Sequence, residues 1–340
     1  MSGDSAASKS RVDPAAIMAL STAYWGSQTL LMANRIKLFD TLAGGPLSSQ
    51  AIAEKLKLDV RATELLLNAC VALGLCEKDA KKFSNSLSSA TFLATGSPTS
   101  MANAISYSDN LFATWGELEK AVRTGVPPKK AATYLGEDEA QTRHFVYGMH
   151  DRAMAIGRAL PEMLDLTGRK KMLDVGGGPG TYSALLTERF PGLQADVLEL
   201  AGVAKIAAEI LEKMGATQRV NMLSGDYHTS DFGHDYDVVL MSGMFHRESA
   251  QNCRRLVDKA RACLVSGGLL VVSDIFADEG GAGPTFAALF GLNMMLTAPD
   301  GGVHADADVA RWMRDAGFEG IDRQSFPPPM PHRIVTGSKS

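Results

Sequence analysis

The chain has 340 residues, of which 45% are hydrophobic and 21% charged, and its formal net charge at neutral pH is −4. This length suits two domains or one large one, and the composition is typical of a globular protein. The small negative charge gives no electrostatic reason to expect a nucleic acid or an anionic membrane as a partner. The longest apolar run, residues 286–299, is too short to span a bilayer.

Residues 1–13 are small and polar without the apolar core of a signal peptide, which predicts a disordered tail. The four cysteines show no C-x-x-C pairing and lie in apolar helical patterns, which indicates free buried thiols in a reducing compartment. No group of histidine, cysteine and carboxylate residues has the spacing of a metal site. We therefore expect a cytoplasmic protein that needs no metal.

Residues 14–100 are predicted to form a mainly α-helical, winged-helix-like domain. Apolar residues recur at helical spacing over 14–42 with hardly any polar face, which indicates burial against a second subunit. Two short helices and a β-wing ending near Phe83 follow. The second of these helices, 60–73, carries Arg61 as its only cation and so cannot make many phosphate contacts. The pattern favours homodimerisation through this domain over DNA binding.

Residues 101–165 are predicted to form a helical linker that roofs a substrate pocket. Trp115, Met149 and His150 are its candidate pocket residues. Core packing explains Trp115 and Met149 equally well, and a histidine on a helix is more often solvated than a ligand.

Strand and helix patterns alternate over residues 166–338. Strands are predicted at 172–176, 194–200, 220–226, 236–244 and 267–276, with helices at 181–190, 203–214 and 249–264. Such alternation predicts an α/β fold with a Rossmann-like, doubly wound parallel sheet. Ligands of such sheets bind at the carboxyl ends of the strands.

A glycine turn joins the first predicted strand to its helix in the segment LDVGGGPGTYSALL, residues 173–186. Bare backbone and a helix N-terminus at this place suit a nucleotide-like ligand. Glycines stand at Gly176, Gly178 and Gly180, whereas the dinucleotide fingerprint needs its third glycine at the position of Thr181. Taken alone, the turn allows NAD, S-adenosylmethionine (SAM) or no ligand.

Polar residues stand at the ends of the next four predicted strands. Glu199 follows Gly176 by 23 residues, where a carboxylate can accept bonds from ribose hydroxyls. Asp226 suits the adenine amino group, with Tyr227 beside the ring. His246 and Asp274 end the fourth and fifth strands. Any one of these acids could be a solvated or capping residue, but four successive strand ends favour a site.

With these residues in hand, the glycine turn, preceded by Asp174, resembles motif I of the class I SAM-dependent methyltransferases. From about residue 15 to 336 the chain resembles the small-molecule O-methyltransferases of the plant caffeate and hydroxyindole type and their bacterial relatives. The resemblance is carried by LFDTLAGGPLSSQAIAEKL, LDVGGGPG, VLEL, GDY, the turn around His246 and GLNMMLTAPDGG…WMRDAGFEGI.

That resemblance implies a SAM-dependent O-methyltransferase that releases S-adenosylhomocysteine (SAH). It places a catalytic base at His246 and the acid that orients this base at Asp274. The resemblance and the strand-end pattern together give the expected cofactor contacts: Asp174, Gly176, Gly178, Gly180, Glu199, Leu200, Asp226, Tyr227 and Ser242.

The chain departs from the family pattern at three places. A second acid follows a glycine pair in the family, but His304 stands here, so either His304 or Asp306 holds His246, or the substrate is handled differently. The family's His-Asp-Trp turn reads His246-Arg247-Glu248. Ser242 stands where a lysine often precedes the turn, so we expect the glycine turn and Glu199 to supply most of the cofactor affinity.

The acceptor site is predicted from the segment FAALFGLNMML. Phe286, Phe290, Asn293 and Met294 recur at helical spacing, which suits a flat apolar slot with one amide to orient an aromatic acceptor. Core packing explains the phenylalanines and methionines equally well. The candidate acceptor contacts are Trp115, Met149, His150, Phe290, Asn293 and Met294.

The interpretation that these patterns favour is methyl transfer to a hydroxyl of an aromatic or polyketide-like small molecule. Methylation of carbon or nitrogen, and non-methylating chemistry on the same fold, stay open because the histidine turn is altered. A winged-helix regulator that senses SAM would need a basic face that the sequence does not show.

Overall fold

The computed structural model describes residues 13–340, so nearly all of the predicted N-terminal tail lies outside the described residues. The chain divides into two compact units, one ending at Pro98 and the other running from Thr99 to Ser340. The helices predicted to roof a pocket belong to the second unit. In the part of the chain described, no helix combines the length and the apolar character needed to cross a membrane.

The first unit is mainly helical, with a small three-stranded sheet in the order β1-β3-β2. Its elements are α1 (Ala15–Thr22), α2 (Tyr24–Arg35), α3 (Leu38–Thr41), β1 (Leu47–Ser48), α4 (Ser49–Leu56), α5 (Val60–Ala72), β2 (Cys76–Asp79), β3 (Lys82–Asn85) and α6 (Leu87–Phe92). The Ser48 hydroxyl accepts the Ala51 N–H at 3.2 Å, and the Asp59 carboxylate accepts the Ala62 N–H at 2.8 Å. These side chains satisfy N–H groups that a helix start leaves unpaired, so they set where α4 and α5 begin.

An apolar face on α1 and α2 is exposed. Ile17, Met18, Leu20, Tyr24 and Trp25 are each between 55% and 77% exposed, and α1 buries none of its residues. Contiguous exposed apolar side chains of this kind mark an interaction surface.

The second unit combines helices with a seven-stranded sheet. Its helices are α7 (Ala102–Trp115), α8 (Leu118–Thr124), α9 (Glu139–Gly157), α10 (Leu160–Met163), α11 (Thr181–Arg189), α12 (Ala201–Lys213), α13 (Ala250–Cys263), α14 (Thr285–Met295) and α15 (Asp306–Asp315), with a π-helix at Thr133–Glu137 and a 3₁₀ turn at Phe245–Arg247. Its strands are β4 (Lys171–Val175), β5 (Gln194–Glu199), β6 (Val220–Ser224), β7 (Tyr236–Ser242), β8 (Leu264–Asp274), β9 (Phe318–Ser325) and β10 (Arg333–Lys339).

The strand order β6-β5-β4-β7-β8-β10-β9 puts the glycine turn after β4 at the centre of the sheet. Strands β4 to β8 pair in parallel, as predicted, and the Rossmann-like fold class is confirmed. The two antiparallel strands β9 and β10 were not predicted. Only one residue of β9 is buried, so this edge strand lacks the apolar pattern that identifies a strand in a sequence.

Both faces of the sheet are covered by apolar cores. Val239 and Met241 of β7 pack in the core formed with α13 and α15, whereas the alternating residues Val238 and Leu240 pack in the core formed with α10 and α11. Successive strand residues point to opposite faces, so a strand buried on both sides reads as a continuous apolar run.

Two contacts hold α9 and the π-helix onto α12. The Arg143 guanidinium donates two bonds of 2.7 Å to the Glu209 carboxylate. A Cβ atom built on Gly202 would lie 2.5 Å from the Cα atom of Gly136, so the two backbones meet without side chains between them. These contacts bring α9 beside the start of α11.

We predict that Gly202→Ala destabilises the second unit by roughly 1–3 kcal/mol, because the added methyl group forces the two backbones apart. Urea unfolding followed by circular dichroism measures the effect. Gly280→Ala is the control, since a Cβ atom there meets nothing within 4 Å. Equal unfolding midpoints for Gly202→Ala and the control would contradict this packing argument.

Candidate active site

The glycine turn joins the end of β4 to the start of α11. Its φ angles are +66° at Gly176, +55° at Gly178 and +69° at Gly180, a region that only glycine adopts without strain. A Cβ atom at Gly177 would lie 2.6 Å from the Asp174 carboxylate beneath the turn. The turn therefore presents backbone N–H groups at the positive end of a helix, where anionic and polar ligands bind.

Asp174 is fully buried below this turn, with one carboxylate oxygen accepting the Ser183 hydroxyl at 2.7 Å. Its other oxygen, Oδ1, is buried without a hydrogen-bond partner among the described residues. Burial raises the pKa of this carboxyl to about 7, the Glu199 charge adds to the rise, and the Ser183 bond opposes it. An unpaired buried acceptor of this kind suits a ligand with a positively charged N–H group.

Glu199 connects β5 to the turn. Its Oε2 accepts the Gly178 N–H at 2.9 Å and its Oε1 accepts the Leu200 N–H at 2.7 Å. Burial raises the pKa of the Glu199 carboxyl, while these two bonds and the charge of Arg247 work against the rise. Each carboxylate oxygen keeps a second lone pair that a ligand hydroxyl can use.

Asp226 and Tyr227 lie in the turn that follows β6. The Asp226 carboxylate accepts the His228 N–H at 2.8 Å. A Cβ atom at Gly176 would lie 3.4 Å from the Tyr227 ring, so this ring packs beside the glycine turn. The Tyr227 hydroxyl donates to Glu248 at 2.7 Å. The two residues thus lie together with the turn and Glu199 at one edge of the sheet.

His246 and Asp274 form a buried pair at the ends of the neighbouring strands β7 and β8. The His246 Nδ1 atom lies 2.7 Å from Asp274 Oδ1, and the His246 backbone N–H donates to Oδ2 at 3.2 Å. The side chains are 13% and 2% exposed. Burial works to raise the pKa of the Asp274 carboxyl, but the His246 charge and the hydrogen bonds from His246 and Ile275 lower it.

This pairing decides the tautomer of the histidine. An ionised carboxylate only accepts hydrogen bonds, so Nδ1 of His246 carries the proton and Nε2 keeps its lone pair. No described residue bonds to Nε2. The imidazole can therefore take a proton from a group that approaches this nitrogen.

His304 does not take the place of the missing second acid, contrary to one of the predicted alternatives. Its Nε2 lies 2.9 Å from the Glu248 carbonyl oxygen and 3.6 Å from the Cys253 sulfur, and its ring packs on Trp312. The His304 carbonyl accepts the Ala277 N–H at 2.9 Å, and this bond fixes the backbone at His304.

Asp306 does not hold His246 either. Its carboxylate lies 3.5 Å from Arg323 and 3.6 Å from Arg333, at the start of α15. The loop before it contributes a backbone bond instead, because the Gly302 N–H donates to the His246 carbonyl at 2.9 Å. Sequence reasoning missed this contact, since a backbone donor has no side-chain signature.

Of the residues predicted to contact the acceptor, Phe290 adjoins His246, and Asn293 lies on the same helix as Phe290. The Phe290 ring meets the His246 ring edge to face, with centroids 4.9 Å apart, and Phe286 stacks on Phe290. The Asn293 amide oxygen accepts the Trp115 indole N–H at 2.9 Å, which joins α7 to α14. Met149 is partly buried, whereas Met294 is buried at 7% exposure and has the environment of a core residue.

Two predicted residues lie beside the glycine turn. The His150 Nδ1 atom is 2.8 Å from the hydroxyl oxygen of Thr181, the first residue of α11. Burial and the Lys213 charge lower the pKa of His150. This position favours the cofactor end of the site over the acceptor end to which we had assigned His150. Ser242 is the last residue of β7; burial raises the pKa of Tyr182 in α11, and Ser242 opposes that rise.

The residue after the histidine has a partner that the sequence did not suggest. Arg247 Nη1 donates to the Tyr134 hydroxyl at 3.1 Å, and this hydroxyl donates to the Thr297 carbonyl at 2.8 Å. Glu248 also has a structural role, because it accepts bonds from Tyr227 and Asn252. The altered histidine turn is therefore built into its surroundings.

The raised pKa of Asp174 predicts a pH dependence of stability. Its pKa of about 7 exceeds the unfolded value of 3.8, so its contribution to stability is complete below about pH 4 and is lost as the pH rises through 7. Between pH 5 and 8 we expect the unfolding free energy of the ligand-free wild type to fall by on the order of 2–4 kcal/mol. Asp174→Asn should not show this fall, and urea unfolding measures both proteins. The same pH slope in wild type and Asp174→Asn would contradict the assignment.

Comparison with known proteins identifies the family. Residues 115–319 match the model of the O-methyltransferase domain, and residues 18–95 match that of the O-methyltransferase dimerisation domain. The 3-hydroxy-5-methyl-1-naphthoate 3-O-methyltransferase of Streptomyces sahachiroi is 29% identical over 96% of both chains. Acetylserotonin O-methyltransferase of Mus musculus is 29% identical over 93% of this chain and 86% of its own length.

A solved structure shows the same fold. The crystal structure of human N-acetylserotonin methyltransferase in complex with SAM superimposes with a TM-score of 0.87 at 24% identity, covering 98% of this chain and 100% of that one. The predicted family, cofactor and enzyme class are confirmed. The chain therefore belongs to the O-methyltransferase family and is a SAM-dependent O-methyltransferase.

Proposed function

We propose that this enzyme methylates a hydroxyl group of an aromatic or polyketide-like small molecule, with His246 as the general base. The observation that carries the proposal is the His246–Asp274 pair, whose imidazole ring meets the Phe290 ring edge to face. The names of two relatives support this acceptor class. One is the naphthoate enzyme described above, and the other is the tetracenomycin polyketide synthesis 8-O-methyltransferase of Streptomyces glaucescens. The latter is 28% identical over 91% of this chain and 92% of its own length.

The residues around the glycine turn fit SAM. The unpaired Asp174 Oδ1 suits its ammonium group, and the lone pairs of Glu199 suit the ribose hydroxyls. Tyr227, whose ring packs beside the glycine turn, and the preceding Asp226 would hold the adenine. SAM, when bound, would supply a methyl group from its positively charged sulfur to the acceptor oxygen, and SAH would leave. We assign cofactor binding to the whole predicted set around the turn, with His150 added to it.

His246 provides the proton acceptor for the reaction. A phenol with a pKa of about 10 is mostly protonated at neutral pH and is then a weak nucleophile. Nε2 can remove the phenolic proton as the new carbon–oxygen bond forms, a contribution of roughly 10²–10⁴-fold. The Asp274 carboxylate then stabilises the imidazolium ion and keeps the ring in place.

Positioning supplies the rest of the catalysis. Phe290 and Phe286 offer a flat apolar surface at the base, and the Trp115–Asn293 bond fixes two elements around it. Holding the acceptor oxygen in line with the methyl group avoids the entropy cost of a random encounter. In favourable cases this positioning is equivalent to an effective molarity of about 10⁵ M or more. The apolar surroundings suit an aromatic acceptor.

We also propose that the enzyme is a homodimer. The first unit matches the dimerisation domain of the family, and the exposed apolar face of α1 and α2 lies within that unit. A second subunit that covers this face would remove Trp25 and its neighbours from water.

The function is tested by incubating the enzyme with methyl-labelled SAM and a panel of phenols, catechols and ring-carbon acceptors, followed by location of the label by mass spectrometry. Label on a phenolic oxygen is the expected result. Label on carbon or nitrogen alone, or no transfer to any member, would overturn the proposed reaction.

We predict that His246→Ala lowers kcat for O-methylation at least 100-fold, because the proton acceptor is lost. Titration calorimetry should find SAM affinity within a few-fold of wild type. His234→Ala is the matched control, since His234 is an exposed histidine in the same unit. Unchanged turnover in His246→Ala would exclude the general-base role.

Glu199→Ala is expected to weaken SAM binding at least tenfold, because both the ribose partner and the anchor of the Gly178 N–H are lost. Calorimetry with SAH measures the change without turnover. Glu188→Ala is the control, because this residue is an exposed glutamate on α11. An affinity equal to that of the control would remove Glu199 from the cofactor site.

A further inference from the structure

Arg247 is a partly buried cation whose protein partner is neutral. It donates one hydrogen bond, to the Tyr134 hydroxyl, and its guanidinium carbon lies 5.6 Å from the centre of the Tyr134 ring. No carboxylate of a described residue lies within ion-pairing distance of it. A guanidinium has five N–H donors, so most of the hydrogen-bonding capacity of Arg247 is available to a ligand.

A second arginine, Arg152, also has no carboxylate partner among the described residues. Arg152 of α9 donates to the Ser108 hydroxyl at 3.1 Å and lies over the Tyr107 ring. Burial raises the pKa of the Tyr107 hydroxyl, and the charges of Arg152 and Arg247 both oppose that rise. Two cations therefore act on one group, and neither forms an ion pair within the residues described.

Arg143 has a structural role, and its charge is paired with a carboxylate. Its guanidinium makes two bonds of 2.7 Å to the Glu209 carboxylate. Taking a charge out of water is unfavourable unless the charge is paired. Arg247 has no such pair: the Glu199 carboxylate, on which its charge acts, accepts bonds from Gly178 and Leu200 instead, so the guanidinium is left to bind an anion from a ligand.

The contacts of Arg247 link it to the helix that carries predicted acceptor residues. Tyr134, which accepts its bond, donates to Thr297 in the turn after α14. The same helix carries Phe290 and Asn293, which adjoin His246 and Trp115. Arg247 follows His246 directly in the 3₁₀ turn, with the two Cα atoms about 3.8 Å apart across a trans peptide bond.

We propose that Arg247 binds a carboxylate on the acceptor, so that the substrate is a hydroxylated aromatic carboxylic acid. This inference rests on the proposed function, because the acceptor hydroxyl must reach Nε2 of His246. The planar guanidinium matches the two oxygens of a carboxylate and can hold them with paired bonds. Tyr134 is then a positioning residue that orients the guanidinium.

The test compares binding of a carboxylate and its neutral analogue. The full-length enzyme, saturated with SAH, is titrated with 2-naphthoate and with 2-naphthamide, neither of which has a hydroxyl to methylate. Wild type is expected to bind 2-naphthoate at least tenfold more tightly than 2-naphthamide. Arg247→Gln should remove this preference, and Arg247→Lys, which keeps the charge but loses the fork, should retain part of it.

Arg158→Gln is the charge-matched control, because Arg158 is an exposed arginine at the end of α9. The control should keep the full preference. Equal binding of acid and amide by wild type, or a full preference in Arg247→Gln, would overturn the inference. Weaker SAH binding by Arg247→Gln with the acid preference intact would also overturn it, since Arg247 would then bind the cofactor carboxylate.

A turnover measurement separates this inference from the proposed function. Wild type is incubated with SAM and either 3-hydroxy-2-naphthoate or 3-hydroxy-2-naphthamide. We expect wild type to methylate both compounds, with kcat/KM at least tenfold higher for the acid. Arg247→Gln should lose this difference. Failure to methylate any hydroxyl in the acceptor panel would refute the proposed function, whereas the SAH-bound titration decides anion binding by itself.

Discussion

The Glu199 carboxylate makes the contact on which the glycine turn depends. It lies at the end of β5, and by accepting the Gly178 N–H it ties the glycine turn of β4 to the neighbouring strand. Strands β4 and β5 are paired in parallel register, with Val175 opposite Leu198, so the end of one strand lies beside the end of the other. A turn made of glycines would otherwise sample many conformations, and this bond restricts it.

The same geometry produces the His246–Asp274 pair one step across the sheet. Ser242 of β7 pairs with Ser273 of β8, so the turn that carries His246 begins next to Asp274. The pair is largely closed to water, where a hydrogen bond to an ionised group is stronger than at the surface. The glycine turn and the His246–Asp274 pair thus lie at adjacent strand ends of one sheet.

The departures at the histidine turn change the surroundings of His246 while leaving its pairing with Asp274 in place. Glu248 accepts the Tyr227 hydroxyl and so connects this turn to the loop after β6. Arg247 connects it to the helical segment through Tyr134. The acidic and the basic residue at these positions therefore join the histidine turn to two other parts of the unit.

The sequence by itself determined the parallel sheet, the glycine turn and the acids at the strand ends, because apolar runs and glycine spacing are local patterns that fix where strands stop. It also indicated the family and the cofactor. It did not reveal the edge strand β9, because the side chains of that strand are mostly exposed and follow no apolar pattern. Only the tertiary structure decided that His304 binds the Glu248 carbonyl, that Gly302 supports His246, and that Arg247 meets Tyr134. These pairs are far apart in the chain, and such contacts depend on how helices and loops pack over the sheet, which residue spacing does not encode.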